Sequence, residues 1–331
     1  MKEKKLTMSD IAKMCDVSKS TISRYFNGGY VKEETKEKIK EIIEKNNYEP
    51  NAFAQSLKAK KSNIIGLIAP CLDSTTSSRM LMSIDEYLRN EGYTTIIINT
   101  NHDQNRELSS MENLWRMNVD GIILLSTFIT KQHRNLVKKI DIPVIFVGQQ
   151  LKEGISIVND DYSAGVEIGK YAVKMGHKDI VYLGVCDKDE AVGSVRKKGI
   201  LDGININKDK KIEVLETDFS FDKTTEVVKN LLKRKRPTLI ICATDNIAMA
   251  AYKEIRGIGL SIPEDISVIG FGGYTISGLL TPSLCTIRFD NELAGNLAGE
   301  TIVKLLNNKT VPKKQIIGYY MIEGESVKCL I

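Results

Sequence analysis

Within VSKSTISRYFNG, residues 17–28, six side chains able to grip a nucleic acid stand almost side by side: Ser18, Lys19, Ser20, Thr21, Ser23 and Arg24. Arginine can donate two parallel hydrogen bonds to guanine O6 and N7, lysine donates to guanine or to phosphate, and serine pairs with several bases. Thr21 and Ser23 suit phosphates, and so the fixing of register. Catalytic chemistry has no comparable foothold. The chain contains no G-x-G-x-x-G, no Walker A loop, no G-x-S-x-G elbow and no H-E-x-x-H, and His102, His133 and His177 are isolated. No carboxylate pair stands out at a spacing that demands acid/base work. Cys15, Cys71, Cys186, Cys242, Cys285 and Cys329 form no C-x-x-C pair and have no neighbouring histidine at metal-ligand spacing. They read as buried thiols in a reducing cytoplasm. Neither an enzyme nor a cofactor or metal is expected.

The elements that would position the six side chains surround them. Thr7 followed by Asp10 resembles a capping box, and Ile11, Ala12 and Met14 or Cys15 supply the buried face of a short first helix. Asp16-Val17 makes a tight connection. Ser18 is a good N-cap, and Ile22 with Tyr25 or Phe26 gives a second helix its apolar face before Asn27-Gly28-Gly29 stops it. Two short helices joined by a tight turn form the helix-turn-helix pattern, whose second helix enters the major groove with its first turn at the base edges. Short polar side chains there let the backbone approach DNA while Arg24 reaches a base. A third helix, roughly 33–46, carries Ile39, Ile42 and Ile43 as its core stripe. Residues 1–61 hold 14 Lys+Arg against 9 Asp+Glu, a balance of +5, while the rest of the chain holds 33 of each. All the excess positive charge therefore lies on the helical segment, which suits an anionic partner. A capped surface helix on a solvated basic arm is the plainer reading of the same residues.

From MSDIAKMCDVSKSTISRYFNG through YEPNAFAQSL and on toward the C-terminus, the sequence resembles the LacI family of bacterial transcriptional regulators. The resemblance implies that Lys19, Ser20 and Arg24 read the major groove of double-stranded operator DNA. It also implies that residues 51–58 form a hinge helix, ordered on the operator, whose Leu57 wedges into the minor groove beside its twin from a second subunit. An apolar wedge of that kind unstacks a base step and bends the duplex. The DNA-facing set on this reading is Thr7, Ser18, Lys19, Ser20, Thr21, Ser23, Arg24, Asn27, Asn51, Ala54 and Leu57. One departure from the family is Lys32, which stands where a serine usually caps the third helix.

Beyond residue 62 the apolar runs IIGLIAP, TTIIINT, DGIILLS and PVIFVG, then DIVYLGV, IEVLETD, TLIICAT and SVIGFG, alternate with amphipathic segments. That alternation argues for parallel sheets covered by helices on both faces. The expected class is α/β: a helix-turn-helix headpiece with a hinge helix over residues 1–61, then a core over 62–331 made of two Rossmann-like lobes of periplasmic-binding-protein type. Lobe one is expected at about 62–160 and 291–318, lobe two at about 161–290 and 319–331, with crossings near VNDDYSAG and FDNELAGNLAG. Open α/β sheets bind ligands at the carboxyl ends of their strands, so facing lobes make a cleft for a small molecule.

The resemblance places the effector-facing set at Cys71, Asp73, Gly148, Gln149, Arg196, Thr244, Asp245 and Gly272. Arg196, in VRKKG, fits the family's R-x-x-G pattern and offers a fork of donors for sugar hydroxyls or a phosphate. A structural salt bridge is its other reading, as helix capping is for Asp245 and Asp73. Gly148 and Gly272 stand where relatives commonly carry Asp. Losing two acids while keeping Arg196 points to a sugar phosphate, and CLDS, DDYSAG, GHKDIVYLGV and CATD look like the trehalose repressor branch, with trehalose 6-phosphate foremost. Cys71 and Gln149 stand where further arginines would help hold phosphate, which leaves a neutral disaccharide, a sucrose-type ligand or a pentose open. The expectation is a cytoplasmic, homodimeric repressor of a carbohydrate operon, with no apolar run near the roughly 18 residues of a membrane span. A sugar-binding module without DNA regulation and a Rossmann-type enzyme are the rivals.

Overall fold

The computed structural model describes residues 6–26, 28–46, 48, 61–205 and 211–331, and the chain divides into two compact units, Met1–Asn63 and Ile64–Ile331. Asn27 and the expected hinge helix with Asn51, Ala54 and Leu57 lie outside the described residues.

In the first unit, helix α1 (Met8–Cys15) starts from a complete capping box: Asp10 N donates to Thr7 Oγ1, and the Asp10 carboxylate accepts from Thr7 N at 2.9 Å. It ends at Asp16 in the left-handed conformation, φ 55°. Helix α2 (Lys19–Phe26) follows directly, and α3 (Glu33–Lys45) begins after Lys32, which contributes no side-chain cap. Glu33 and Glu34 in the first turn of α3 favour the positive end of its dipole instead. Ile11, Ala12, Cys15, Ile22, Ile39 and Tyr48 bury a single small core among the three helices. Each fully buried isoleucine there contributes about 1.5–3 kcal/mol.

The second unit holds two six-stranded sheets. The first, in spatial order β11-β5-β4-β3-β1-β2, is built from β1 (Ile64–Ala69), β2 (Thr94–Asn99), β3 (Gly121–Leu125), β4 (Val144–Val147), β5 (Ile155–Asn159) and β11 (Lys314–Ile317). All its pairings are parallel. The second, in order β12-β10-β9-β8-β6-β7, takes β6 (Asp179–Gly184), β7 (Lys211–Glu216), β8 (Leu239–Cys242), β9 (Ser267–Phe271), β10 (Cys285–Phe289) and β12 (Tyr319–Ile322). Only β12 runs antiparallel to its neighbour. Every residue of β3 and of β9 is buried, as strands covered on both faces must be.

The chain passes between the sheets three times: from β5 into α7 (Asp161–Lys174), from β10 into α12 (Asn291–Leu306), and from β11 into β12. Helix α12 lays Ala294, Ala298, Ile302 and Val303 into the core of the first sheet, beside residues of α4 (Thr75–Asn90). In the second lobe α7 packs on α8 (Lys197–Ile204) through Gly165, Gly169, Gly199 and Gly203, so closely that a Cβ on Gly169 would stand 2.5 Å from the Ile200 carbonyl oxygen. Between β6 and α8 runs a seven-residue π-helix, Glu190–Arg196, capped by the Asp189 side chain, which accepts from Val192 N.

Candidate functional site

On the first unit, Ser18, Lys19, Ser20 and Arg24 are exposed while Thr21 and Ser23 are half-buried. Ile22 is fully buried between them, so the helix has one face committed to the core and the other to solvent. Ser18 caps α2 by accepting from Thr21 N at 3.2 Å, and its hydroxyl lies 2.7 Å from Ser20 Oγ and 2.9 Å from Thr21 Oγ1. Three hydroxyls are thus gathered at the start of this helix, where unsatisfied backbone N–H groups favour an anion. Thr7 is spent on capping α1.

In the second unit a cavity of about 650 Å³ opens at the carboxyl ends of the strands of both sheets. That volume lies within the range of about 300–1,000 Å³ usual for small-molecule sites. Cys71, Asp73, Gly148, Gln149, Arg196, Thr244 and Gly272 all line it. Gly148 and Gly272 carry φ of +91° and +149°, and a Cβ at Gly272 would stand 2.6 Å from the ring of Tyr274. Their backbone conformations therefore favour glycine.

Arg196 is buried, and its guanidinium is held from three directions. Nε and Nη2 donate to Asp161 Oδ1 at 2.8 and 2.5 Å, and Nη1 donates to the Ala243 carbonyl at 2.6 Å. The rings of Phe271 and Phe289 face it with centroids at 4.8 and 5.5 Å. Of the five N–H groups of an arginine, one on each terminal nitrogen is left for a ligand. Burial pushes the Asp161 carboxyl up and Arg196 pulls it back. The guanidinium stays charged, since burial works against its proton but the Asp161 carboxylate holds it. The salt-bridge reading of Arg196 and the cavity-facing one both describe this geometry.

Asp245 departs from the expectation. It does not line the cavity; it is wholly buried, with Oδ1 accepting from Thr286 Oγ1 at 2.6 Å and Oδ2 accepting from Ser277 Oγ at 2.7 Å and Tyr274 N at 3.0 Å. Burial raises its carboxyl and these donors lower it. Nor does it cap the helix that follows: Thr244 does, accepting from Ile247 N. Asp245 instead ties down the loop that presents Gly272 and Tyr274 to the cavity.

Two residue-family comparisons cover nearly all of this. The description "Bacterial regulatory proteins, lacI family" matches residues 7–51, and "Periplasmic binding proteins and sugar binding domain of LacI family" matches residues 62–324. The chain belongs to the LacI family. The sucrose operon repressor of Staphylococcus xylosus is 34% identical over 94% of this chain and 97% of its own length. Catabolite control protein A of Priestia megaterium is 28% identical over 92% and 94%. Among solved structures, a lac repressor dimer bound to operator and an anti-inducer superposes with a TM-score of 0.88 at 23% identity, covering 98% of this chain and 100% of that one, which shows the shared fold. A LacI-type regulator from Alkaliphilus metalliredigens complexed with D-xylulofuranose gives 0.71 at 29% identity over 80% and 99%. This LacI-family chain is a DNA-binding, effector-controlled regulator and not an enzyme. No helix among the described residues is long and apolar enough to cross a membrane.

The cavity also gathers residues that motif reading passed over. Asp161, Asp189 and Asp218 join Asp73 on its wall, with Asn159, Asn246 and Asn291 as amides and Phe219 as a further ring. Ser126, at the end of β3, lines it with a buried hydroxyl that has no partner among the described residues. The one signal for these was position: Ser126 and Asn159 directly follow or end a strand, where an open α/β sheet places its ligand.

Proposed function

We propose that the protein is a homodimeric repressor of a carbohydrate-utilisation operon, acting on DNA in the cytoplasm, and that its effector is a neutral sugar, a disaccharide foremost. The charge of the cavity carries this reading. Among the described residues its wall has Asp73, Asp161, Asp189 and Asp218 against one arginine, Arg196, which Asp161 already pairs, and His102. A sugar phosphate, favoured by the loss of acids at Gly148 and Gly272, would enter against an excess of carboxylates. A polyol gains from the same wall, because carboxylates, amides and the Ser126 hydroxyl bind hydroxyl groups, and the ring of Phe219 suits the apolar face of a sugar ring. The names of the relatives agree in kind: one represses a sucrose operon, another is complexed with D-xylulofuranose.

On the DNA side, Lys19, Ser20 and Arg24 read base edges, Thr21 and Ser23 hold phosphates, and the segment carrying Asn51, Ala54 and Leu57 enters the minor groove. Two-fold symmetry supplies two headpieces for a near-palindromic operator. Met82 and Leu279, 71% and 77% exposed, support pairing of two cores. They lie on α4 and on the short helix Thr275–Leu279, which Arg79 joins by donating to Thr275 Oγ1 at 2.8 Å.

Thermal unfolding with sucrose, trehalose and their 6-phosphates tests the effector. A ligand at 100 times its Kd adds about 2.7 kcal/mol. Stabilisation by a neutral sugar and not by its phosphate is expected; the reverse pattern would overturn the neutral-ligand reading. Arg24→Ala is expected to cost about 1–3 kcal/mol of specific operator affinity, measured by DNA titration, with the loss confined to cognate sequence.

A further inference from the structure

Gln149 follows the end of β4 at the cleft, yet it is 4% exposed. Both ends of its amide are used by the opposite lobe. Nε2 donates to Asp189 Oδ1 at 2.7 Å, and Oε1 accepts from Ala191 N at 3.2 Å. Asp189 Oδ1 also accepts from Val192 N at 2.9 Å, which makes it the cap of the π-helix that ends at Arg196. One side chain of the first lobe therefore grips the first turn of the element whose last residue reaches the ligand cavity.

We infer that Gln149 is a positioning residue, the latch that couples closure of the two lobes to the placement of Arg196, and not a ligand contact. An amide is the side chain this place requires. It offers a donor to a carboxylate and an acceptor to a backbone N–H at once, whereas a carboxylate would face Asp189 with like charge and an arginine would leave Ala191 N–H without an acceptor. When the lobes part, three groups lose a partner together: the Gln149 amide at both its ends, the Ala191 N–H, and Asp189 Oδ1, which keeps only Val192 N of its two donors. Closure thus has a specific polar contact, and the far end of the same π-helix moves with it because the helix is a single hydrogen-bonded unit capped at Asp189.

The affinity arm of the test rests on the cavity being the sugar site; the exchange arm does not. In the ligand-free full chain, Gln149→Leu is expected to speed hydrogen exchange at the Ala191 amide by about tenfold, the factor that matches one lost hydrogen bond. Val192, still held by Asp189, and the amides of β6 should keep their rates. Unchanged exchange at Ala191, or a rise spread over the whole second sheet, would overturn the latch. Sucrose is the probe for the second arm. Its Kd should weaken in Gln149→Leu in proportion to the closed population lost, and weaken further in Gln149→Glu, whose carboxylate would meet Asp189 with like charge. A Kd unchanged in both variants while the wild type binds sucrose would overturn the latch as well. If sucrose binds no version of the protein but Ala191 responds as expected, the latch holds and the sucrose reading falls.

Discussion

Asp245 holds three donors that belong to other segments of the chain: Thr286 on β10, Ser277, and the backbone of Tyr274. Asp245→Ala leaves Ser277 Oγ and Tyr274 N without this acceptor and leaves Thr286 Oγ1 only its longer contact to the Ile287 carbonyl at 3.3 Å, so it is expected to lower stability by about 1–3 kcal/mol or more, read from urea unfolding, and to loosen the Gly272–Tyr274 loop at the cavity. Arg196→Ala carries a similar cost for a different reason. It strands the Asp161 carboxylate, 4% exposed, without its partner, and about 3–5 kcal/mol is the usual consequence of breaking a buried pair from one side. Loss of effector response in that variant should therefore be accompanied by a lowered Tm; an unchanged Tm would show that Asp161 finds other support. The R-x-x-G motif made Arg196 legible from sequence, but its partner was not, because Asp161 is 35 residues away and looks like any acid in the first turn of a helix. The capping box at Thr7 and Asp10 was fully legible, since both partners lie within one turn. Asp245 was misread as cavity-facing because its neighbours in sequence do line the cavity, and only the folded loop shows which way its carboxylate is engaged.

Eight strands announce themselves as predominantly apolar runs, and the structure places a strand at each. The other four do not. β5 and β10 carry Ser156 and Thr286 at their second positions, buried polar residues that break the apolar run. Each is satisfied through contacts made after folding: Ser156 Oγ accepts from Leu151 N, and Thr286 donates to Asp245. β11 and β12 are four-residue edge strands with mixed sequences, KQII and YYMI. The π-helix left no trace either, because its widened turn answers to no simple periodicity. The glycines of α7 and α8 have their meaning at this scale. A methyl group on Gly169 would meet backbone atoms of Ile200, Gly203 and Ile204 at 2.5 to 2.8 Å, none of which can swing aside as a side chain could. Gly169→Ala is accordingly expected to destabilise the second lobe by about 1–3 kcal/mol, although alanine is the better helix former, with Tm by calorimetry as the check.

For the molecule as a whole, Met82, Ile276 and Leu279 are exposed apolar residues on two elements tied by the Arg79–Thr275 hydrogen bond. A charge placed there, Leu279→Asp, is expected to yield a monomer in sedimentation and to weaken operator binding, since each headpiece would then bind its half-site alone. A variant that stays dimeric would move the interface elsewhere. The triple passage between lobes has a further consequence, in the order in which the protein is made. The first lobe opens at β1, near residue 64, but its sheet edge β11 and the helix that covers its core, Asn291–Leu306, come after the whole run from Asp161 to Phe289 has been laid down. During synthesis the apolar face formed by Ile65, Leu67, Ile123 and Ile145 must wait for Ala298 and Ile302 to emerge. A nascent chain of this protein thus carries an unfinished first lobe until Asn291–Leu306 and β11 have left the ribosome, and it is over that interval that it most needs protection from aggregation.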